Sequence, residues 1–191
     1  GQRLGGILIA RGPDPAPSPE VIAAFLMDKV RESGLALLPL APGNLTLLKR
    51  ARFAGIAALS EEALLADLEL WLAPMLVRRL DALDSQALNQ ALLGRLSFNE
   101  RQQLGQLAPA HFTSPAGSEH AIEYADEGGP SVELRVQALF GLDRHPTFGT
   151  PPQPLLLKLT SPGGKPIQMT RDLPGFWRGS WRDVVRDMKG R

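Results

Sequence analysis

At His111 the hydrophobic pattern of this chain changes its period, and any fold has to accommodate that change. Upstream, apolar residues recur at helical spacing, as in Leu64, Leu65, Leu68, Trp71 and Leu72, which share one face of a helix. Downstream they alternate. His120, Ile122 and Tyr124 point one way while Glu119 and Glu123 point the other, and Val132, Leu134 and Val136 repeat the pattern. A period of two marks a half-buried strand. The sequence therefore predicts an α+β fold, with a helical block followed by a small antiparallel sheet and a C-terminal amphipathic helix.

Boundary residues divide the chain further. Residues 1–17 hold a β-rich run, "RLGGILIA" (3–10), and a stiff Pro-rich connector. That strand is expected to join the later sheet, because a lone strand leaves its backbone groups unpaired. Residues 18–108 form the helical block. Ser18 precedes Pro19 and Glu20 as a helix N-cap, and Gly34 stops that helix. Asn44 is placed to cap a second helix and Ser60 a third, which Pro74 ends or kinks. Short helices follow near 75–83 and 85–93, and "SFNE" (97–100) has capping-box spacing ahead of a helix that ends before Pro109. Residues 109–191 form the α+β part, with hairpin turns at "DEGGP" (126–130) and "SPGGKP" (161–166).

Several classes of chemistry are disfavoured by what is present. The chain of 191 residues has no Cys, which removes disulfides and thiolate metal sites and fits a reducing cytoplasm. No apolar run is long enough to cross a bilayer, and "GQRLGGILIARG" is not a signal peptide. The absence of an initiator Met and the abrupt "MKGR" end lead us to expect a piece of a longer chain. "GGK" (163–165) imitates the end of a phosphate-binding loop, but position 159 is Leu and Pro166 follows Lys165, so it reads as a hairpin turn. His111 and His120 could approach each other on a sheet, yet zinc requires three or four converging ligands. Ser180 lies in "RGSWR", outside any nucleophile elbow, and suits an N-cap role. No catalytic residue, cofactor site or metal site is assigned within the segment.

Charge singles out the C-terminal quarter. Residues 96–143 carry two Arg against seven Asp and Glu, a net −5, while residues 144–191 carry nine Lys and Arg against three Asp, a net +6. The acidic and basic blocks either pack together or leave a cationic surface for an anionic partner. Within the basic block, "DLPGFWRGSWRDVVRDMKG" (172–190) holds two of the chain's three tryptophans. In a helix from Trp181, the residues Trp181, Val184, Val185 and Met188 share an apolar face. Arg182, Arg186 and Lys189 form a stripe beside it, with Asp183 and Asp187 opposite. Phe176, Trp177 and Arg178 precede the helix in a Gly-flanked turn. There an indole could stack on a base or plug the edge of the sheet.

The run "PLLLKLTSPGGKPIQMTRDLPGFWRGSWRDVVRDMKGR" (154–191) closely resembles the C-terminal region of HrpB-type bacterial DEAH-box ATP-dependent helicases. The shared signature, S-P-x-x-[KR]-P-[IV]-Q-[MV]-T-[RQ]-D-L-x-G-F-W-x-G-S, runs from Ser161 to Ser180. "LAPAHFTSPAGSEHAIEYADEGGPSVELRVQALFGL" (107–142) is similar to an upstream segment of the family, with Ala116 where Ser is usual, and "EEALLADLELWLAPML" (61–76) fits its helical part. The resemblance implies a parent enzyme, a nucleoside-triphosphate hydrolase whose two RecA-like motor domains bind ATP and Mg²⁺ outside this chain. It also implies barrel elements of the oligonucleotide/oligosaccharide-binding (OB) type lying over an RNA path. On that basis the segment is expected to be an accessory, non-catalytic region. It would hold the RNA backbone through Arg171, Arg178, Arg182, Arg186 and Lys189, with Phe176 and Trp177 as stacking rings or anchors, and it would pack on the motor domains without any membrane. The alternative is a structural or protein-docking appendage that never touches RNA.

Overall fold

Short helices gather the apolar stripes of the N-terminal half around a leucine core. The structure is a computed structural model that describes residues 17–78 and 83–189, without the side chains of 77, 78, 188 and 189. The expected 3–10 strand lies outside the described residues, as does most of the Pro-rich connector. Helix α1 (Pro19–Ser33) begins where Ser18 Oγ accepts the Val21 N–H at 3.2 Å, and it ends at Gly34, whose φ of 86° a side chain would resist. Its inner face is Ala23, Met27 and Val30. Helix α2 (Pro42–Ala54) starts two residues before the expected Asn44 cap, because Pro42 presets the first turn. Asn44 is buried instead. Its Oδ1 accepts the Ala41 N–H at 2.9 Å, and its Nδ2 donates to Ser85 O at 2.9 Å and Asn89 Oδ1 at 2.7 Å. An expected cap is in fact a tie between helices.

The helix capped by Ser60 breaks earlier than Pro74 alone requires. It runs as α3 (Glu61–Ala66), α4 (Leu68–Trp71) and α5 (Ala73–Arg78), with Pro74 in the first turn of the last. Pro74 has no N–H to offer the turn before it, so the chain restarts there. Trp71 Nε1 donates to Leu64 O at 2.8 Å across the break. Helix α6 (Ser85–Leu93) is capped by Asp84, and α7 (Phe98–Leu107) by the reciprocal Ser97–Glu100 box. Leu64, Leu68, Leu72, Leu88 and Leu92 are buried between these helices.

From His111 the chain forms short strands: β1 (His111–Thr113), β2 (Glu119–Ala121), β3 (Glu123–Ala125), β4 (Gly129–Arg135), β5 (Thr147–Phe148), β6 (Gln153–Pro154), β7 (Leu156–Thr160) and β8 (Pro166–Thr170). Both expected hairpins are present, β3–β4 and β7–β8. The main sheet runs β3-β4-β7-β8, with β1–β2 and β5–β6 as separate pairs. It is not wholly antiparallel, since β4 and β7 pair in parallel with Val132 opposite Leu157 and Leu134 opposite Leu159. Parallel neighbours need a crossover rather than a tight turn, and residues 136–155 supply it, carrying a 3₁₀ turn (Val136–Leu139) and the β5–β6 pair. The strands of the described residues form open sheets and no closed barrel.

Helices and sheet meet at one joint. Arg50 Nε donates to Ala108 O at 2.7 Å, and the Tyr124 hydroxyl donates to Pro109 O at 2.5 Å. Phe53 lies against Tyr124 with ring centroids 5.1 Å apart. On its other side Phe53 meets Gly149, where a Cβ would fall 2.8 Å from the Phe53 ring. The buried apolar residues form one cluster spanning both halves. Burial raises the pKa of the Tyr124 phenol, opposed more weakly by the Arg50 charge, and burial lowers that of Arg50. A raised folded-state value means that the stabilisation is full below the unfolded tyrosine value of about 10 and is lost as pH climbs past it. Tyr124 is the chain's one tyrosine, so tyrosinate absorbance reports this group alone. Tyr124→Phe is expected to cost about 1–3 kcal/mol at neutral pH, by leaving Pro109 O unpaired. It should also flatten the alkaline loss of stability, with urea unfolding at several pH values as the measurement.

Candidate nucleic-acid interface

The C-terminal segment folds into two consecutive helices rather than a turn and a helix. Helix α8 (Leu173–Arg178) is capped by Asp172, whose Oδ1 accepts the Gly175 N–H at 3.1 Å. A Cβ at Gly175 would collide with the Asp172 carboxylate and displace the cap. This cap, with Pro174 in the first turn, draws Phe176, Trp177 and Arg178 out of the expected turn and into a helix. Gly179 closes α8 by donating to Gly175 O at 3.0 Å. Helix α9 (Ser180–Lys189) starts at Ser180 itself, one residue earlier than the expected cap position implies. Its phase is the expected one: Trp181, Val184 and Val185 are half-buried, while Arg182, Asp183, Arg186 and Asp187 are exposed.

The aromatic residues form a single cluster. Phe176 is buried, at 2% exposure, beside fully buried Leu173, so it offers no face to a ligand. Trp177 and Trp181 are half-buried with centroids 5.7 Å apart and planes at 84°. Trp177 Nε1 donates to Leu142 O at 2.8 Å, which fixes the indole against the crossover. Phe140, from that crossover, joins the cluster 6.0 Å from Trp177 and 5.7 Å from Trp181 while staying 50% exposed. Sequence reasoning misses Phe140 because "QALFGLD" (137–143) has neither strand nor helix periodicity.

The cations divide. Arg178, Arg182 and Arg186 are exposed on α8 and α9, and Arg186 Nη1 lies 3.6 Å from Asp183 Oδ1 in a pair open to water on both sides. Such a pair contributes little. Arg171 is exposed too, but its Nη2 donates to Gly128 O at 3.1 Å and so ties β8 to the β3–β4 turn. The Lys189 side chain lies outside the described residues. The structure therefore leaves Arg178 exposed on α8 and Arg182 and Arg186 exposed on α9, and engages Arg171 at a hairpin.

A depression of about 480 Å³ opens over β4 and is lined by Ser118, His120, Glu133, Arg135, Gln137 and Thr160 among others. His120 Nε2 and Ser118 Oγ are 2.8 Å apart, and Ser118 Oγ lies 2.7 Å from Ser114 Oγ. The half-buried His120 is thus held by a serine pair, and His111 is exposed on the neighbouring strand.

Known proteins resemble this chain in sequence and in overall fold. Residues 71–191 match the family model described as "ATP-dependent helicase C-terminal", HrpB_C. The chain is 36% identical over 198 residues to the ATP-dependent RNA helicase HrpB of Escherichia coli strain K12, covering 99% of this chain and 24% of that protein. Its structure is similar to the crystal structure of the E. coli DExH-box NTPase HrpB, with a TM-score of 0.81 and 37% identity over 94% of this chain and 23% of that one. A second crystal structure, of the E. coli DEAH/RHA helicase HrpB, gives 0.73 and 34% over 90% of this chain and 23% of that one. The chain spans about a quarter of the length of these relatives.

The residue that seats the helix pair is also invisible in the sequence. His145 Nδ1 accepts the Leu173 N–H at 3.0 Å, so that nitrogen carries no proton, and Nε2, 2.6 Å from Leu155 O, must be the donor. A neutral imidazole thus links the crossover to the starts of β7 and α8. His145→Ala leaves a carbonyl and an amide unpaired and is expected to destabilise the fold by about 2–3 kcal/mol. Hydrogen exchange should show the Leu173 amide losing protection first.

Proposed function

The chain belongs to the HrpB family of ATP-dependent helicase C-terminal regions, and from that premise we propose that it serves a DEAH-box RNA helicase as an accessory element. It binds the RNA backbone and packs on the motor domains. ATP, Mg²⁺ and hydrolysis belong to the RecA-like domains of the parent protein, which acts in the cytoplasm. One observation carries the RNA reading. The acidic block does not neutralise the basic one: among the described residues, the ion pair from residues 96–143 joins Asp126 to Arg52 of α2, and none reaches residues 144–191. Arg178, Arg182 and Arg186 are left facing water on the helix pair.

Such cations attract phosphates by releasing condensed counterions, a mechanism that reads no bases and weakens as salt rises. Arg171 contributes from the hairpin edge, and Lys189 is a further cation at the end of α9. Packing on the motor domains is supported by the outer face of the helical block. Val21 and Phe25, one helical turn apart on α1, are about 60% exposed, and Leu70 is 73% exposed. Isolated surface apolar residues are ordinary, but a pair on one helix face suits a docking contact.

Titration of single-stranded RNA against the full-length protein at several salt concentrations tests the reading. Changing Arg182, Arg186 and Lys189 to Ala should weaken binding to all sequences alike and lower the salt slope by about 0.7 for each phosphate no longer engaged. An unchanged affinity and slope would remove the helix pair from the RNA path and leave the purely structural appendage.

A further inference from the structure

The aromatic cluster has an open side. Phe140, Trp177 and Trp181 wall a groove of about 310 Å³ floored by Gly141, Leu142 and Asp143. That volume is at the small end of the range for small-molecule sites, roughly 300–1,000 Å³. We propose that this groove takes one unpaired nucleobase of a bound RNA strand, stacked on Phe140 and the indoles, while Arg178 and Arg182 hold the flanking phosphates. The proposal rests on the reading of the region as an RNA-binding element and adds the base to the backbone.

Ring geometry supports it. The two indoles stand nearly perpendicular, and Phe140 is tilted 48° and 60° from them. Buried Phe176 also packs against both indoles, 5.4 Å from Trp177 and 6.0 Å from Trp181, so the ring with the most open surface is Phe140, at 50% exposure. Gly141, at a φ of 93°, turns the chain just after Phe140, and the Phe140 ring stays half exposed. The Trp177 N–H is already used on Leu142 O, so this indole presents π surface rather than a base-reading donor. That surface is chemically suited to every base.

Charge selects the occupant. Each indole is followed in sequence by an exposed arginine, Arg178 after Trp177 and Arg182 after Trp181. A flat, uncharged aromatic ring joined to phosphates suits a ring-lined groove on helices that also expose arginines. An apolar peptide side chain would make no use of the arginines. Asp143, in the groove floor, disfavours phosphate there and can accept a hydrogen bond from the amino group of cytosine.

The test uses the full-length protein with two probes, a short oligocytidylate and an abasic strand of equal phosphate count. Phe140→Ala should weaken oligocytidylate binding by about 5–150-fold, the range for loss of one stacked base, and leave the abasic strand unaffected. Phe140→Leu keeps the apolar volume and should lose the same discrimination, and both variants should fold, because the ring is half exposed. Equal binding by wild type and Phe140→Ala, or an equal loss on both probes, overturns the proposal. So does an unchanged RNA affinity with altered RNA-independent ATP turnover, which would make the groove a dock for the motor domains. Changing Arg178 and Arg182 to Ala separates the two readings. A loss on both probes supports the phosphate contacts, whereas no loss on either sinks the backbone reading while a Phe140 effect confined to oligocytidylate would still uphold stacking.

Discussion

The helical block and the sheet hold together because two side chains satisfy the carbonyls at one helix end. Helix α7 stops at Leu107, and the last carbonyls of any helix have no partner within it. Pro109, just beyond, cannot donate to the turn before it. Arg50 reaches Ala108 O from α2, and Tyr124 reaches Pro109 O from β3. The hydrogen bonds thus fall where the hydrophobic period changes from helical to alternating. The apolar cluster spans both halves, and these two directional bonds add a fixed register to that packing. Phe53, held between Tyr124 and Gly149, extends the joint to the crossover.

From that joint the geometry propagates to the candidate interface in two steps. The parallel pairing of β4 with β7 forces residues 136–155 to travel back along the sheet. That return brings Leu142 and His145 beside α8. His145 then fixes the start of α8 through the Leu173 amide, and Leu142 O fixes Trp177. Both contacts are backbone-to-ring hydrogen bonds, directional in a way that apolar packing is not. The helix pair therefore has a defined orientation even though its own burial is partial.

What is legible in the sequence is local. Ser18, Ser60 and the Ser97–Glu100 box act on the amides of the next turn, so a few residues are enough to identify them. The face of α9 and the two hairpins follow from periodicity and turn chemistry, again over short spans. Asn44 resembles a cap because its neighbours suit one, but its partners Ser85 and Asn89 are some forty residues away and no local pattern announces them. The parallel β4–β7 pair is hidden for the same reason, since alternating strands look alike whichever direction they pair. Helix α8 is hidden behind Pro174, Gly175 and Gly179, which usually mark a turn. Asp172 and the tight fit at Gly175 reverse that reading. Arg178, Arg182 and Arg186 are identifiable from charge and phase. Phe140 and His145, which complete and seat the site, lie in a segment with no period.

The division of labour proposed for the helix pair follows from hydration. Arg178, Arg182 and Arg186 face water, so a phosphate that meets them gains little from direct pairing and more from counterion release. Such contacts are tolerant of position and cannot fix the register of a strand. The aromatic groove is the complementary case. Stacking in it removes apolar surface from water and is scarcely screened by salt. An element with only the cations would let a polyanion slide, and one with only the groove would capture it slowly. On the proposed reading, with both on one helix pair seated by His145 and Trp177, the charges would provide approach and the rings position.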